Sequence, residues 1–349
     1  MTARPRDEAG WIRYIRTLWG PSGAALDVGD DAAVLPSAPY ALTTDALLEG
    51  VDFERPWGPP EAVGHKALAV NLSDLAAVGA RPRFCLLTLA LPEGLADRWV
   101  EDLLRGMHRL ALREGVGLCG GDLSRSRSGV VVSLTALGLL EGPPLTRSGG
   151  RPGDLLFVSG PLGAARAALK AFRQGASLRT FGEAPPRTPR LALLDRFFRP
   201  PSQTETGLHL SREKLASAAL DLSDGFARDL HRLLAASRCG AEVEARAVPV
   251  DPLCGSGEEA RREALLGGED QVLLFAVPER KAAKVTRILP GAVPVGRLRR
   301  RPGCDLLWPG GGREPLSPSG FDHFRPEETS APPARRKASR CVFPPGGSR

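Results

Sequence analysis

Apolar positions along this chain recur in two periods, and their alternation sets the expected architecture. Residues 40–44 and 84–91 are apolar or β-branched runs that read as strands, the second stopping at Pro92. Between them, residues 61–78 place Ala67, Val70, Leu72, Leu75 and Val78 at helical spacing. A second helix is expected over 95–114, stopped at Gly115, and a short amphipathic one over 11–20. Residues 116–119 form a brief strand running into Gly120-Gly121-Asp122, and 130–140 another, rich in Val and Leu. After a loop at 147–153 the pattern restarts. Strands are expected at 154–159, 271–277 and 293–297. Helices are expected at 164–172 and 226–237, the latter with Phe226, Leu230, Leu233 and Leu234 on one face and Gly240 just beyond its end. Residues 175–206 are polar and Pro-rich and read as a connecting stretch. No solenoid-length repeat is present. Strand–helix alternation in both halves predicts an α/β (α+β) chain of two domains, 1–147 and 148–324, followed by a basic, Pro-rich, disordered tail at 325–349.

Composition supports a globular protein: 349 residues, 42% hydrophobic and 25% charged. No apolar stretch reaches the roughly 18 residues of a membrane span, and residues 1–8 are polar with no apolar signal core after them. A cytoplasmic location without membrane contact is therefore expected. The six cysteines are scattered, with no CxxC pair, and read as reduced packing residues rather than a zinc or redox centre. A net charge of +7 points at first to an anionic partner. Residues 325–349 alone hold six basic and two acidic side chains, however, so only +3 belongs to the rest of the chain. A nucleic-acid footprint needs a basic face on a folded domain, and none is expected here.

The chemistry lies in acidic residues beside glycines and hydroxyls. They recur as Gly29-Asp30-Asp31, Thr43-Thr44-Asp45, Asn71-Leu72-Ser73-Asp74, Gly120-Gly121-Asp122 and Asp221-Leu222-Ser223-Asp224-Gly225, and read as short turns at element ends. Each can be an ordinary cap or turn former. Taken as a set they can also converge into an oxygen-only site suited to Mg²⁺ shared with phosphates. The segment 221–225 precedes a helix whose N-terminal N–H groups can receive phosphate oxygens. Thr43-Thr44-Asp45 is expected at a strand end, where α/β domains bind ligands.

The order of these motifs resembles the thiamine-monophosphate kinase family, in the superfamily that includes aminoimidazole ribonucleotide synthetase and selenophosphate synthetase. The matching text is GDDAAVL at 29–35, TTD at 43–45, KALAVNLSDLAAVGARP at 66–82, GGD at 120–122, LTRSG at 145–149, DLSDG at 221–225, GGED at 267–270 and GFDHF at 320–324. The resemblance implies a two-domain aminoimidazole ribonucleotide synthetase-like fold, a homodimer built through N-terminal sheets, and transfer of phosphate from ATP to thiamine monophosphate. It implies several Mg²⁺ ions held by Asp31, Thr43, Thr44, Asp45, Asp74, Asp122, Asp221 and Asp224, with Asp45, Asp74, Asp122 and Asp221 central to catalysis. ATP contacts would come from Gly121, Asp122, Arg147 and Ser223, and acceptor contacts from the positions of Asp52, Glu269 and Pro318.

The acceptor chemistry fits a site without a general base. A phosphate monoester is largely dianionic at neutral pH and already nucleophilic, so the demand is charge neutralisation and in-line placement. The chain carries neither a Walker-type phosphate loop nor a nucleophile elbow. Departures from the family pattern cluster on the acceptor side. Asp52 replaces a His, Gln271 a Tyr, and Pro318 an aromatic residue, with Phe321 and Trp308 as candidate aromatic substitutes. Two other readings stay open at this stage: a related ATP-dependent enzyme with another acceptor, and a non-catalytic nucleotide-binding protein.

Overall fold

The structure, a computed structural model, describes residues 30–35, 39–182, 186–322 and 324. The helix expected at 11–20 and the tail 325–349 lie outside the described residues.

The N-terminal half is a five-stranded sheet backed by two helices. Its elements are β1 (Ala33–Val34), β2 (Tyr40–Leu48), α1 (Pro60–Ala77), β3 (Ala80–Pro92), α2 (Asp97–Glu114), β4 (Gly117–Ser126) and β5 (Val131–Leu140), in the sheet order β1-β2-β5-β3-β4. Only the β3–β4 pair is parallel. It follows from the topology, since the connecting helix α2 carries the chain back to the same end of the sheet. α2 stops where Gly115 turns into the left-handed region at φ 69°.

The C-terminal half adds β6 (Leu155–Val158), α3 (Ala164–Arg173), α4 (Pro189–Phe198), α5 (Thr204–Arg212), β7 (Ala218–Asp221), α6 (Phe226–Ser237), β8 (Gly240–Glu244), α7 (Glu258–Leu266), β9 (Leu273–Val277), α8 (Ala282–Ile288), β10 (Val293–Arg299), β11 (Cys304–Leu307) and β12 (Arg313–Pro315). Its seven-stranded sheet runs β12-β11-β8-β10-β6-β9-β7, with β8–β11 the parallel pair. β9 is buried at every position, from Leu273 to Val277, as expected of a strand covered on both faces. Among the described residues, no helix is long and apolar enough to cross a membrane.

α1 is the spine that joins the halves. It packs on α2 and on β2 and β5 of the first sheet, and on α5 and β7 of the second half. Close approach explains its glycines. A Cβ on Gly64 would lie 1.9 Å from the Leu103 carbonyl oxygen of α2, and one on Gly106 equally close to that of Glu61. A helix buried on nearly all sides must be apolar on nearly all sides, and Lys66, Asn71, Ser73 and Asp74 stand out against that rule.

Four expectations are corrected. The strand expected at 40–44 continues to Leu48, because Ala46–Leu48 pair with Val131–Ser133, so Thr43-Thr44-Asp45 lies mid-strand rather than at a strand end. Gly120-Gly121-Asp122 is no turn but the middle of β4, where a Cβ on Gly121 would sit 1.9 Å from the Leu87 carbonyl oxygen of β3. The glycine there allows two strands to approach. Asn71–Asp74 is no turn but lies near the C-terminal end of α1, inside the helix that the 61–78 periodicity predicts. The polar stretch 175–206 contains α4, begun by Thr188, whose hydroxyl accepts from Leu191 N–H, with Pro189 at the first position. Its buried Leu194, Phe197 and Phe198 supply the drive that the flanking prolines obscured.

A carboxylate centre at the domain junction

Four carboxylates reach the junction from four elements. Asp31 precedes β1, Asp45 sits mid-β2, Asp74 lies in the last turn of α1, and Asp221 ends β7. In β2, side chains alternate between faces, so Thr43 and Asp45 share one face and Thr44 takes the other. One carboxylate oxygen each from Asp31, Asp74 and Asp221 lies within 4.8 Å of the other two. The three are 190 residues apart in sequence at the extremes, yet α1 and β7 are packed neighbours.

Hydroxyls and amides hold the acids in place. Thr43 Oγ1 donates to Asp74 Oδ2 at 2.5 Å, and Ser73 Oγ to Asp221 Oδ2 at 2.8 Å, a bond across the two halves. Asn71, fully buried, anchors β2 to α1: its Oδ1 accepts from the Asp45 N–H (3.2 Å) while its Nδ2 donates to the Ala67 carbonyl (3.0 Å). Arg147 grips Asp31 with two nitrogens, at 2.6 and 3.3 Å, and its own N–H donates to Asp30 Oδ1.

The electrostatics are those of a site short of positive charge. Burial pushes Asp45 up to about 7, helped by the Glu269 charge and, further down, by Asp52 and Asp224, while a hydrogen bond with Asp74 works the other way. Burial raises Asp74 well above the usual carboxylate range, reinforced by Asp45, Asp221 and Asp31. Asp221 is raised likewise, by burial and then by Asp31. Like charges withdrawn from water disfavour ionisation until a cation arrives. The set contains oxygen donors and no imidazole or thiolate, which is the chemistry of a hard divalent ion.

Not every expected ligand joins this centre. Thr44 Oγ1 turns to the other face and donates to the Leu134 carbonyl (2.9 Å). Asp224 is paired with Arg232 at 2.5 Å, with Arg228 at 3.8 Å. Asp122 is exposed on β4. In register it faces Thr88, then Ser133, then Ala46, three strands from β2, or roughly 14 Å at normal strand spacing. Gly121 shares that strand. Ser223 lies in the loop before α6, its carbonyl accepting from the Glu269 N–H. The capping alternative for 221–225 is not met, because Asp229 performs that work: its Oδ2 accepts from the Asp224 and Gly225 N–H groups, both at 3.0 Å.

Among the positions that the resemblance assigns to the acceptor, Asp52 Oδ2 folds back to accept from Leu48 N–H in the turn after β2. Glu269 lies close enough to Asp45 for its charge to be felt there. Pro318 is exposed in the segment before the strap 320–322. The Phe321 N–H donates to the Asp224 carbonyl at 3.0 Å, which ties that aromatic residue to the junction. Trp308 is committed elsewhere, under the Arg262 guanidinium and donating to Glu314. Sequence reasoning gave no role to Asn71, Ser73 and Lys66. The available signal was their polarity inside an otherwise apolar helix.

Comparison with known proteins places this architecture. The profile described as AIR synthase related protein, N-terminal domain, matches residues 29–140, and the corresponding C-terminal domain profile matches 151–308. Thiamine-monophosphate kinase of Rhodopirellula baltica is 34% identical over 344 residues, covering 93% of this chain and 99% of that protein. The solved structure of AaThiL complexed with AMPPCP and TMP superposes with a TM-score of 0.79 at 32% identity, covering 93% of this chain and 99% of the other. Thiamine-monophosphate kinase from Stenotrophomonas maltophilia K279a gives 0.70 at 36% identity, covering 85% and 94%. With both domains matched and sequence identity above 30% over almost the whole length, this chain belongs to the thiamine-monophosphate kinase family of AIR synthase related proteins.

Proposed function

We propose that this protein transfers a phosphoryl group from ATP directly to thiamine monophosphate, forming thiamine diphosphate and ADP, at the domain junction. The observation that carries this reading is the convergence of Asp31, Asp74 and Asp221 within 4.8 Å of one another. Their oxygen-only chemistry and the raised proton affinity of Asp74 and Asp221 fit Mg²⁺, with Asp45 and Thr43 beside them and Asp224 within reach if it leaves Arg232. Bound there, Mg²⁺ would neutralise and orient the phosphates that both substrates bring.

The chain's own residues then have defined tasks. The acceptor phosphate is its own nucleophile, so no side chain need remove a proton. Thr43, Ser73 and Asn71 keep the acids aimed without adding charge. The N-terminus of α6, preceded by Ser223, offers N–H groups to phosphate oxygens, and Arg147 carries the cation nearest the acids. Glu269, beside the cluster, is suited to the cationic ring of the acceptor.

The reading includes a cytoplasmic homodimer. β4 is an exposed edge strand, and Phe84, Leu86, Leu118 and Leu123 on β3 and β4 are exposed apolar side chains. Such an edge invites pairing with a second copy, and shared sheets would be the route by which Asp122 enters a site. Purified protein given ATP, Mg²⁺ and thiamine monophosphate should release ADP in step with thiamine diphosphate, and scatter light with twice the chain mass of 37.1 kDa. ADP release that ignores thiamine monophosphate would remove the acceptor assignment, and a monomeric mass the dimer.

A further inference from the structure

Lys66 is the most deeply buried cation of the described residues, with its side chain only 1% exposed. It projects from α1, two turns before Asp74. An ammonium group withdrawn from water is retained only against close compensation. Two partners supply it. Nζ lies 3.0 Å from Glu269 Oε2 and 3.4 Å from the centre of the Phe197 ring of α4. The contact therefore joins the N-terminal spine, the α4 helix and the Gly267–Gln271 segment.

Glu269 needs such a partner. It holds φ at 72°, a region that non-glycine residues rarely occupy. Its N–H is tied to the Ser223 carbonyl (2.7 Å), and Gln271 N–H to that of Leu222 (3.0 Å), so the backbone lies against the Asp221–Asp224 loop. With the backbone fixed in this way, the remaining freedom is that of the side chain. One oxygen faces Lys66, while the Glu269 side chain keeps 31% exposure.

We propose that Lys66 is a positioning residue for the acceptor half of the site: it fixes the Glu269 carboxylate against the junction so that the exposed remainder meets the acceptor. The inference rests on the reading of Glu269 as an acceptor contact. The ion pair also ties acceptor recognition to domain packing, because its two ends belong to different halves of the chain.

The test is a double-mutant cycle with Lys66→Met and Glu269→Gln, measured as separate KM values for thiamine monophosphate and ATP. Removing one partner of a buried ion pair at a recognition site changes affinity by about tenfold or more. Lys66→Met should raise the acceptor KM by about that factor and leave the ATP KM within about twofold. In the double variant the acceptor KM should match the worse single variant rather than the product of both effects. An unchanged acceptor KM in Lys66→Met, with Glu269→Gln impaired, would leave Glu269 a contact and make Lys66 merely structural. An unchanged acceptor KM in Glu269→Gln would remove the reading of Glu269, and the route through it as well. Multiplicative effects in the double variant would also overturn the proposal. If Lys66→Met is recovered poorly, Lys66→Leu, which removes the charge and the donor alike, is judged by the same criteria.

Discussion

The acids of the domain junction and those serving the helix starts of the second half, Asp229 and Asp270, are similarly withdrawn from water but are held in opposite ways. Asp229 and Asp270 are wrapped by the backbone. Asp229 accepts from two N–H groups before α6 and from Arg232 Nη1 at 2.7 Å; Asp270 accepts from Gly163 and Ala165 N–H at the start of α3. Burial still pushes both up to about 7, yet each already has donors suited to a carboxylate. Asp31, Asp74 and Asp221 instead face one another, receiving one guanidinium and two hydroxyls. The first arrangement caps helices; the second concentrates negative charge with nothing in the fold that needs it there. Buried acids with raised pKa values occur in both sets, Asp74 and Asp221 in one and Asp229 and Asp270 in the other, so neither property identifies a binding site. The identity of the partners does.

Breaking the junction should have the largest effect. Asp74→Asn keeps the shape and removes one charge, and should lower kcat by on the order of a thousandfold, the scale of losing electrostatic stabilisation at a reacting phosphate. The same change relieves repulsion with Asp45 and Asp221, so the metal-free variant should melt no lower than the parent. Loss of both activity and stability would place Asp74 with the capping acids. Asp270→Ala should do the reverse. It leaves two N–H groups at the start of α3 without their acceptor, at about 1–3 kcal/mol. Urea unfolding should show that loss, while kcat falls far less than in Asp74→Asn.

How far the sequence discloses this contrast depends on the element. The 66–82 block was legible because helical periodicity and a dense run of family residues coincide there. β2 and β4 were not, because short polar and glycine-rich runs look like turns: Thr43-Thr44-Asp45 continues a strand through Leu48, and Gly121 serves a close approach of β4 to β3. α4 was hidden behind prolines at both ends of its segment. Among the site residues, the motif order includes three acids that the fold brings together, Asp31, Asp74 and Asp221. It could not separate these from Asp224, whose pairing with Arg232 is a tertiary contact, nor from Asp122, whose distance depends on strand order. Lys66 escaped notice since its partner lies about two hundred residues away, at Glu269.

A smaller effect sharpens the comparison through pH. Asp45, Asp229 and Asp270 have folded-state values of about 7 against an ordinary 3.8. The folded state therefore binds more protons than the unfolded state between roughly pH 4 and 7, and metal-free stability should fall as pH rises through that window. The slope is moderated at Asp45 by its partial exposure to water. Mg²⁺ should recover the junction's share of the loss at pH 8 and little at pH 5, while the share due to Asp229 and Asp270 stays. A melting temperature that rises steadily from pH 4 to 7 without Mg²⁺ would contradict the charge balance described here.

The most direct measurement is to locate the metal. Crystals grown with Mn²⁺ in place of Mg²⁺ and a non-hydrolysable ATP analogue, with data collected near the manganese edge, show the ion by its anomalous signal. A peak coordinated by oxygens of Asp31, Asp74 and Asp221 is expected, and its loss in Asp74→Asn. Manganese bound only elsewhere, with these three acids left facing one another, would contradict it.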